Sequence, residues 1–139
     1  MRIAVIDGMG GGIGAQLAGQ LRQEIGDRAE IIALGTNASA TDRMLRAGAD
    51  RGASGENAIR VSAASADIIL GPIGIVIPDA MMGEVSALIA QAVFSSKAEK
   101  FLVPIAQQHF TIVGLESKPI SLLIAQTVQM VKERVIPNS

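Results

Sequence analysis

Hydrophobic side chains along this chain follow two rhythms that take turns. Short unbroken apolar runs stand at Ile3-Ala4-Val5-Ile6, Ile31-Ile32-Ala33-Leu34 and Ile68-Ile69-Leu70. After the first of them, Ile13, Leu17, Leu21 and Ile25 recur every four residues, with Gln16, Gln20, Arg22 and Glu24 in between. The runs suit strands covered on both faces, and the four-residue recurrence suits a helix with one buried stripe. Strands are therefore predicted at 3–6 and 30–34, and helices at 13–25 and 38–47, the second stopped by Gly48. Residues 49–64 read in two ways. Either 49–53 is a strand and 55–64 a helix, or the strand is 58–61; the first keeps the alternation intact. A strand at 67–70 runs into Gly71-Pro72-Ile73-Gly74. Pro78 and Asp79 then suit a helix start, with Val85, Leu88, Ile89, Ala92 and Val93 as its buried face. Residues 100–104 and 110–113 read as two more strands. Only about five residues separate them, too few for a parallel crossover, so they are expected to form an antiparallel hairpin at a sheet edge. A last helix over 119–134 presents Ile120, Leu123, Ile124, Thr127, Val128 and Val131.

Strands alternating with helices predict an α/β fold: a three-layer, doubly wound and mostly parallel sheet with that antiparallel edge hairpin, in a single domain over residues 1–139. Ligands of such sheets sit outside the carboxyl ends of the strands. The loops expected there are residues 8–14, Gly35-Thr36-Asn37, Ser54-Gly55-Glu56-Asn57, Gly71-Pro72-Ile73-Gly74 and Ala106-Gln107-Gln108-His109. Most are small or polar. The opposite edge carries ordinary charged turns, Gly26-Asp27-Arg28 and Ser95-Ser96-Lys97.

The first loop reads Asp7-Gly8-Met9-Gly10-Gly11-Gly12-Ile13-Gly14. The dinucleotide pattern G-x-G-x-x-G would need glycine at position 13, where Ile13 stands. The spacing Gly8-x-x-x-Gly12-x-Gly14 instead resembles the glycine motif of short-chain dehydrogenases. In either version glycines permit a sharp turn, let backbone amides approach a pyrophosphate and pack helix on strand, while the helix terminus meets the anion. The expected nucleotide site is Gly8, Met9, Gly10, Gly11, Gly12, Ile13 and Gly14 with Thr36, Asn37, Gly71 and Pro72, and the expected cofactor is NAD or NADP. A tight turn with no ligand is the plainer alternative. The resemblance to dehydrogenases stops at this loop. With no tyrosine in the chain there is no Tyr-x-x-x-Lys pair. The acid that binds ribose after strand two is missing, so Thr36 or Asn37 would bond a ribose hydroxyl. Arg43 would meet a 2′-phosphate or simply be a solvated helix residue. As a whole, through the glycine start, 33–38, 47–58 and 66–76, the chain resembles a small family of bacterial Rossmann-like proteins without an assigned role. That resemblance implies the fold and no reaction.

Composition narrows the picture further. Three Phe, no Trp and no Tyr leave a core of Ile, Leu, Val, Ala and Met. A formal net charge of −1 with no basic run argues against nucleic acid as a partner. The chain has no cysteine, no metal-ligand spacing and no apolar stretch of the ~18 residues that would make it a membrane span. Nothing at its start resembles a signal peptide, and a cytoplasmic location is expected. Positive mean hydropathy in so small a chain predicts a homo-oligomer.

Asp7, Asp50, Arg51, Glu56, Asn57, Asp79, Glu84 and His109 are the polar candidates for chemistry. Asp7 either braces the glycine turn or faces the cleft. Glu56 and Asn57 either cap a helix or reach a ribose or small substrate. His109 is the single histidine, either exposed in a turn or an acid-base group. Three readings stay open: a nucleotide-binding module, an oxidoreductase whose site is completed by a partner subunit through Glu56, Asn57 or His109, and an assembly scaffold with an empty cleft.

Overall fold

The unbroken apolar runs become the strands of one sheet. A computed structural model describes residues 1–105 and 110–138. Its strands are β1 (Arg2–Asp7), β2 (Glu30–Gly35), β3 (Arg51–Ser54), β4 (Ile68–Pro72) and β5 (Glu99–Val103), in the order β3-β2-β1-β4-β5. Each neighbouring pair is parallel. The helices are α1 (Gly12–Ile25), α2 (Ala38–Ala47), α3 (Glu56–Ser65), α4 (Ala87–Phe94) and α5 (Ile120–Val135).

Alternation along the strands divides the core in two. Ile3 and Val5 of β1, Ile31 and Ala33 of β2, and Ile68 and Leu70 of β4 meet Leu17, Leu21 and Ile25 of α1, Met44 of α2, and Ile124, Val128 and Val131 of α5. Ala4, Ile6, Ile32, Leu34 and Ile69 face the other way, onto Ile59 and Ala63 of α3 and Ile89, Ala90 and Val93 of α4. Helices α1, α2 and α5 thus cover one face, and α3 and α4 cover the other. Winding reverses between β1 and β4. Their following loops diverge there and leave a crevice at the carboxyl edge.

Helix boundaries follow local signals. Asn37 caps α2 by accepting from the Ala40 N–H at 2.8 Å, and the helix ends at Gly48. Ser86 caps α4, accepting from the Ile89 N–H at 3.2 Å. Of the two readings of 49–64, the strand-then-helix order holds, with bounds moved to 51–54 and 56–65.

Three expectations are corrected. The antiparallel hairpin does not form. β5 is a parallel strand beside β4, with α4 as its crossover, and the described residues 110–119 contain no strand. Phe110, Ile112 and Leu115 lie beside Ile120 and Leu123 at the start of α5, so their strand-like alternation meets a helix rather than a sheet edge. The helix expected from Pro78 begins at Ala87. Before it come a short 3₁₀ turn (Ile73–Val76) and a loop in which Asp79, Met81 and Met82 have φ of 67°, 58° and 57°, values an α-helix does not admit. Leu88 and Ile120, expected in buried stripes, are exposed, each in the first turn of its helix: α4 starts later than expected, whereas α5 starts about where it was expected.

Candidate functional site

The site begins with how β1 ends. Strand alternation turns Asp7 toward α1, where its carboxylate accepts the Gly8 N–H at 2.8 Å and the Gly14 N–H at 2.7 Å. Asp7 is only 5% exposed. Burial pushes its carboxyl above the ordinary range, opposed by those two amides and by Arg43 and reinforced by Glu84. Asp7 therefore braces the turn and satisfies one helix-terminal amide from inside the fold.

The glycines of this turn divide into two kinds. Gly8, Gly11 and Gly14 are required by the protein itself. A Cβ on Gly8 would lie 2.5 Å from Thr36 Oγ1, and one on Gly14 would lie 2.6 Å from Met44 Sδ and 2.8 Å from Asp7 Cβ. Gly11 has φ 73° and lies under α2, where a Cβ would come within 2.8 Å of the Ala40 Cα. Gly10 and Gly12 have no such reason. Their nearest neighbour is the Arg43 guanidinium, 3.8 Å and 3.4 Å from where a Cβ would stand, which is ordinary contact. The amides of Gly10, Gly12 and Ile13 make no hydrogen bond among the described residues.

A second loop, residues 77–86, folds over the first. The Asp79 N–H bonds Val85 O at 2.7 Å and the Val85 N–H bonds Ala80 O at 3.2 Å. Left-handed backbone at three non-glycine residues in a row of four is costly for L side chains and concentrates strain beside the glycine turn. This loop delivers Glu84. Its Oε1 accepts from the Thr36 hydroxyl at 2.6 Å, Asn37 Nδ2 at 2.8 Å and the Met9 N–H at 2.9 Å. The Thr36 hydroxyl and the Met9 amide hold the Glu84 carboxyl below its ordinary range against the pull of desolvation, with Asn37 adding to them.

Between the loops after β1 and β4 lies a cavity of about 410 Å³. That is within the size of small-molecule sites. Residues 8–13 form one wall, and Pro72, Gly74, Ala80, Met81 and Ile105 the other.

The structure sorts the expected site residues. Gly8, Met9, Gly10, Gly11, Gly12, Ile13 and Pro72 line the cavity. Gly14 lies behind it, under Asp7 and Met44. Gly71 serves the sheet instead: a Cβ there would be 2.2 Å from Ile6 O. Thr36 and Asn37 are beside the loop, as the β1–β2 register requires, but their side-chain donors are engaged by Glu84 and, for Asn37, also by Met9 O. Glu56 accepts from the Ser86 hydroxyl at 2.5 Å and Asn57 from Arg60, both outside the cavity. His109 lies outside the described residues. Arg43 is an exposed helix residue whose guanidinium also donates to Gly10 O at 3.3 Å. Asp50 is tied to Arg22 and the Ile31 N–H, and Arg51 to Glu30. Among the described residues, no three His, Cys, Asp or Glu side chains gather where a metal ion would be held. No helix among them is long and apolar enough to cross a membrane. Met81, Ala80 and Ile105 were not foreseen as site residues, and Glu84 stood only among scattered polar positions. No local spacing announces them, because the loop that carries most of them is placed by long-range contacts.

A parallel sheet ordered β3-β2-β1-β4-β5, with a glycine-rich turn at the point where winding reverses, defines a Rossmann-like α/β protein. Within that class, the chain belongs to the family described as a domain of unknown function, DUF3842, whose family model matches residues 2–136. No curated protein matches the chain.

Proposed function

We propose that this chain binds an adenine nucleotide, NAD, NADP or a close relative, with its phosphates over the turn formed by residues 8–14. One observation carries the reading. Gly10 and Gly12 hold open a space that the fold itself leaves to Arg43 alone, next to three amides with no partner among the described residues. A Cβ at either position would meet only ordinary contact with Arg43, whereas a bound phosphate needs the bare backbone. Arg43 beside this face adds positive charge where a phosphate would lie. The cavity on the β4 side gives the rest of the ligand an adjoining, largely apolar wall. Asp7 takes the Gly8 and Gly14 amides and leaves the other three for the ligand. The oxidoreductase reading draws no support from Glu56 and Asn57, whose bonds go to Ser86 and Arg60.

Thermal unfolding with NAD, NADP, ATP and S-adenosylmethionine tests this. A cognate nucleotide at a hundredfold over its Kd adds ~2.7 kcal/mol of stability. Gly12→Val should abolish that gain while leaving the unliganded protein folded. If no nucleotide stabilises a protein that runs as an oligomer, the scaffold reading replaces this one. Elution as a monomer would remove the expected homo-oligomer.

A further inference from the structure

Dinucleotide-binding sheets hold the adenosine ribose with a carboxylate at the end of β2. Here β2 ends in Gly35-Thr36-Asn37, with no acid. Yet a carboxylate stands at that place in space. Glu84 reaches it from the loop before α4, and its Oε1 is held by three donors: the Thr36 hydroxyl, Asn37 Nδ2 and the Met9 N–H, at 2.6, 2.8 and 2.9 Å. Two of those donors belong to the residues that follow β2. The third belongs to the turn after β1. Bare Gly8 lets the carboxylate come this close, since a Cβ there would lie 3.1 Å from Glu84 Oε1 and closer still to Thr36.

The consequence for the ligand is specific. One carboxylate oxygen is saturated and fixed, while Oε2 makes no hydrogen bond among the described residues, and Glu84 is half-buried rather than sealed. Thr36 has spent its donor on Glu84, and Asn37 its own on Glu84 and Met9 O, so they orient the carboxylate instead of meeting the ribose directly. We infer that Glu84 is the ribose-hydroxyl acceptor of this site, supplied from the β4 side of the fold, and that it selects an adenosine whose 2′-position is a free hydroxyl. A 2′-phosphate would meet the carboxylate's negative charge. This rests on the nucleotide reading above and narrows it from NAD or NADP to the form without the 2′-phosphate.

Calorimetric titration with ADP, 2′-deoxy-ADP and adenosine 2′,5′-bisphosphate provides the test. The natural chain should bind ADP roughly tenfold or more tighter than 2′-deoxy-ADP, because the lost hydroxyl leaves a polar partner unmet. It should bind the bisphosphate more weakly than ADP. Glu84→Gln should bring ADP and 2′-deoxy-ADP closer together and lessen the rejection of the bisphosphate. Equal affinity of the natural chain for ADP and 2′-deoxy-ADP, with binding lost in Gly12→Val, overturns this inference alone, and it needs no variant at position 84. Tighter ADP binding by Glu84→Gln also overturns it, showing that Glu84 occupies the ligand's place instead of recognising it. No ADP binding by the natural chain overturns this inference, and the reading beneath it falls as well if none of NAD, NADP and ATP binds.

Discussion

The two flanks of the glycine turn are built on opposite plans. On the β2 side, Thr36, Asn37, Ala40 and Glu84 close against Gly8, Met9 and Gly11, with hydrogen bonds at 2.6–2.9 Å and no room for an added methyl group. On the β4 side, Pro72, Gly74, Ala80, Met81 and Ile105 stand back and leave about 410 Å³. One wall is polar and tied up by the protein save for Glu84 Oε2, the other apolar and open. The difference teaches that a run of glycines is not one signal. Gly8, Gly11 and Gly14 answer to their neighbours in the fold, and only Gly10 and Gly12 await an outside explanation.

Substitutions on the two flanks should separate them. The largest effect is expected at the closed flank. Gly11→Ala puts a methyl group 2.8 Å from the Ala40 Cα at a backbone φ of 73°, and should cost about 3 kcal/mol in strain and overpacking. Calorimetry should show a Tm lower by ~10 °C, and an unchanged Tm would deny that this flank is tightly built.

Glu84→Gln comes next. It keeps an acceptor for the three donors but loses the charge that strengthens their bonds, a loss of about 1 kcal/mol at neutral pH. The sign with pH follows from the depressed carboxyl. Its stabilisation is present above the ordinary glutamate value of 4.5 and is lost as pH falls through its lowered value. The variant has nothing to lose there, so its acid limb should be shallower than that of the natural chain. Asp7 works in the opposite sense. Its raised carboxyl makes folding more favourable as pH falls through that raised value toward 3.8; burial, the main cause, is common to both proteins, and only the smaller push from the Glu84 charge is lost in the variant. Parallel acid limbs in urea titrations would contradict the role of the Glu84 charge.

The smallest effect belongs to the open flank. Gly74→Ala meets only Ala80 Cβ at 3.4 Å and Met81 Cε at 3.5 Å, and stability should change by less than about 0.5 kcal/mol. The nucleotide response should weaken all the same, because the methyl group enters the cavity wall. A Gly74→Ala protein as destabilised as Gly11→Ala would erase the contrast between the flanks.

How far the sequence reached depends on the range of the interactions that decide each feature. The extent of α2 follows from Asn37 and Gly48, signals adjacent to the helix itself. The strand–glycine–helix opening was equally legible, and the brace by Asp7, between residues at most seven apart, was one of the two readings open for that side chain. The segment after Pro78 was not. Proline followed by aspartate is a fair helix start, yet Asp79, Met81 and Met82 take left-handed backbone that their own chemistry disfavours. Bonds within the loop, such as Asp79 N–H to Val85 O, hold them so, together with contacts from outside it, among them the Glu84 bonds to residues 47, 48 and 75 positions away. The hairpin failed for a related reason. Phe110 and Ile112 alternate as a strand would, and periodicity cannot say whether the surface they meet is a sheet edge or the flank of α5.

By itself, then, the sequence determined the α/β class, the alternating elements and the glycine-rich turn after the first strand, because periodicity, caps and glycine placement act over a few residues. The tertiary structure alone decided that β5 runs parallel, which glycines are free, and that a carboxylate from residue 84 stands beside the end of β2. Those depend on the order in which strands assemble, and chain-distant groups become neighbours only once that order is set.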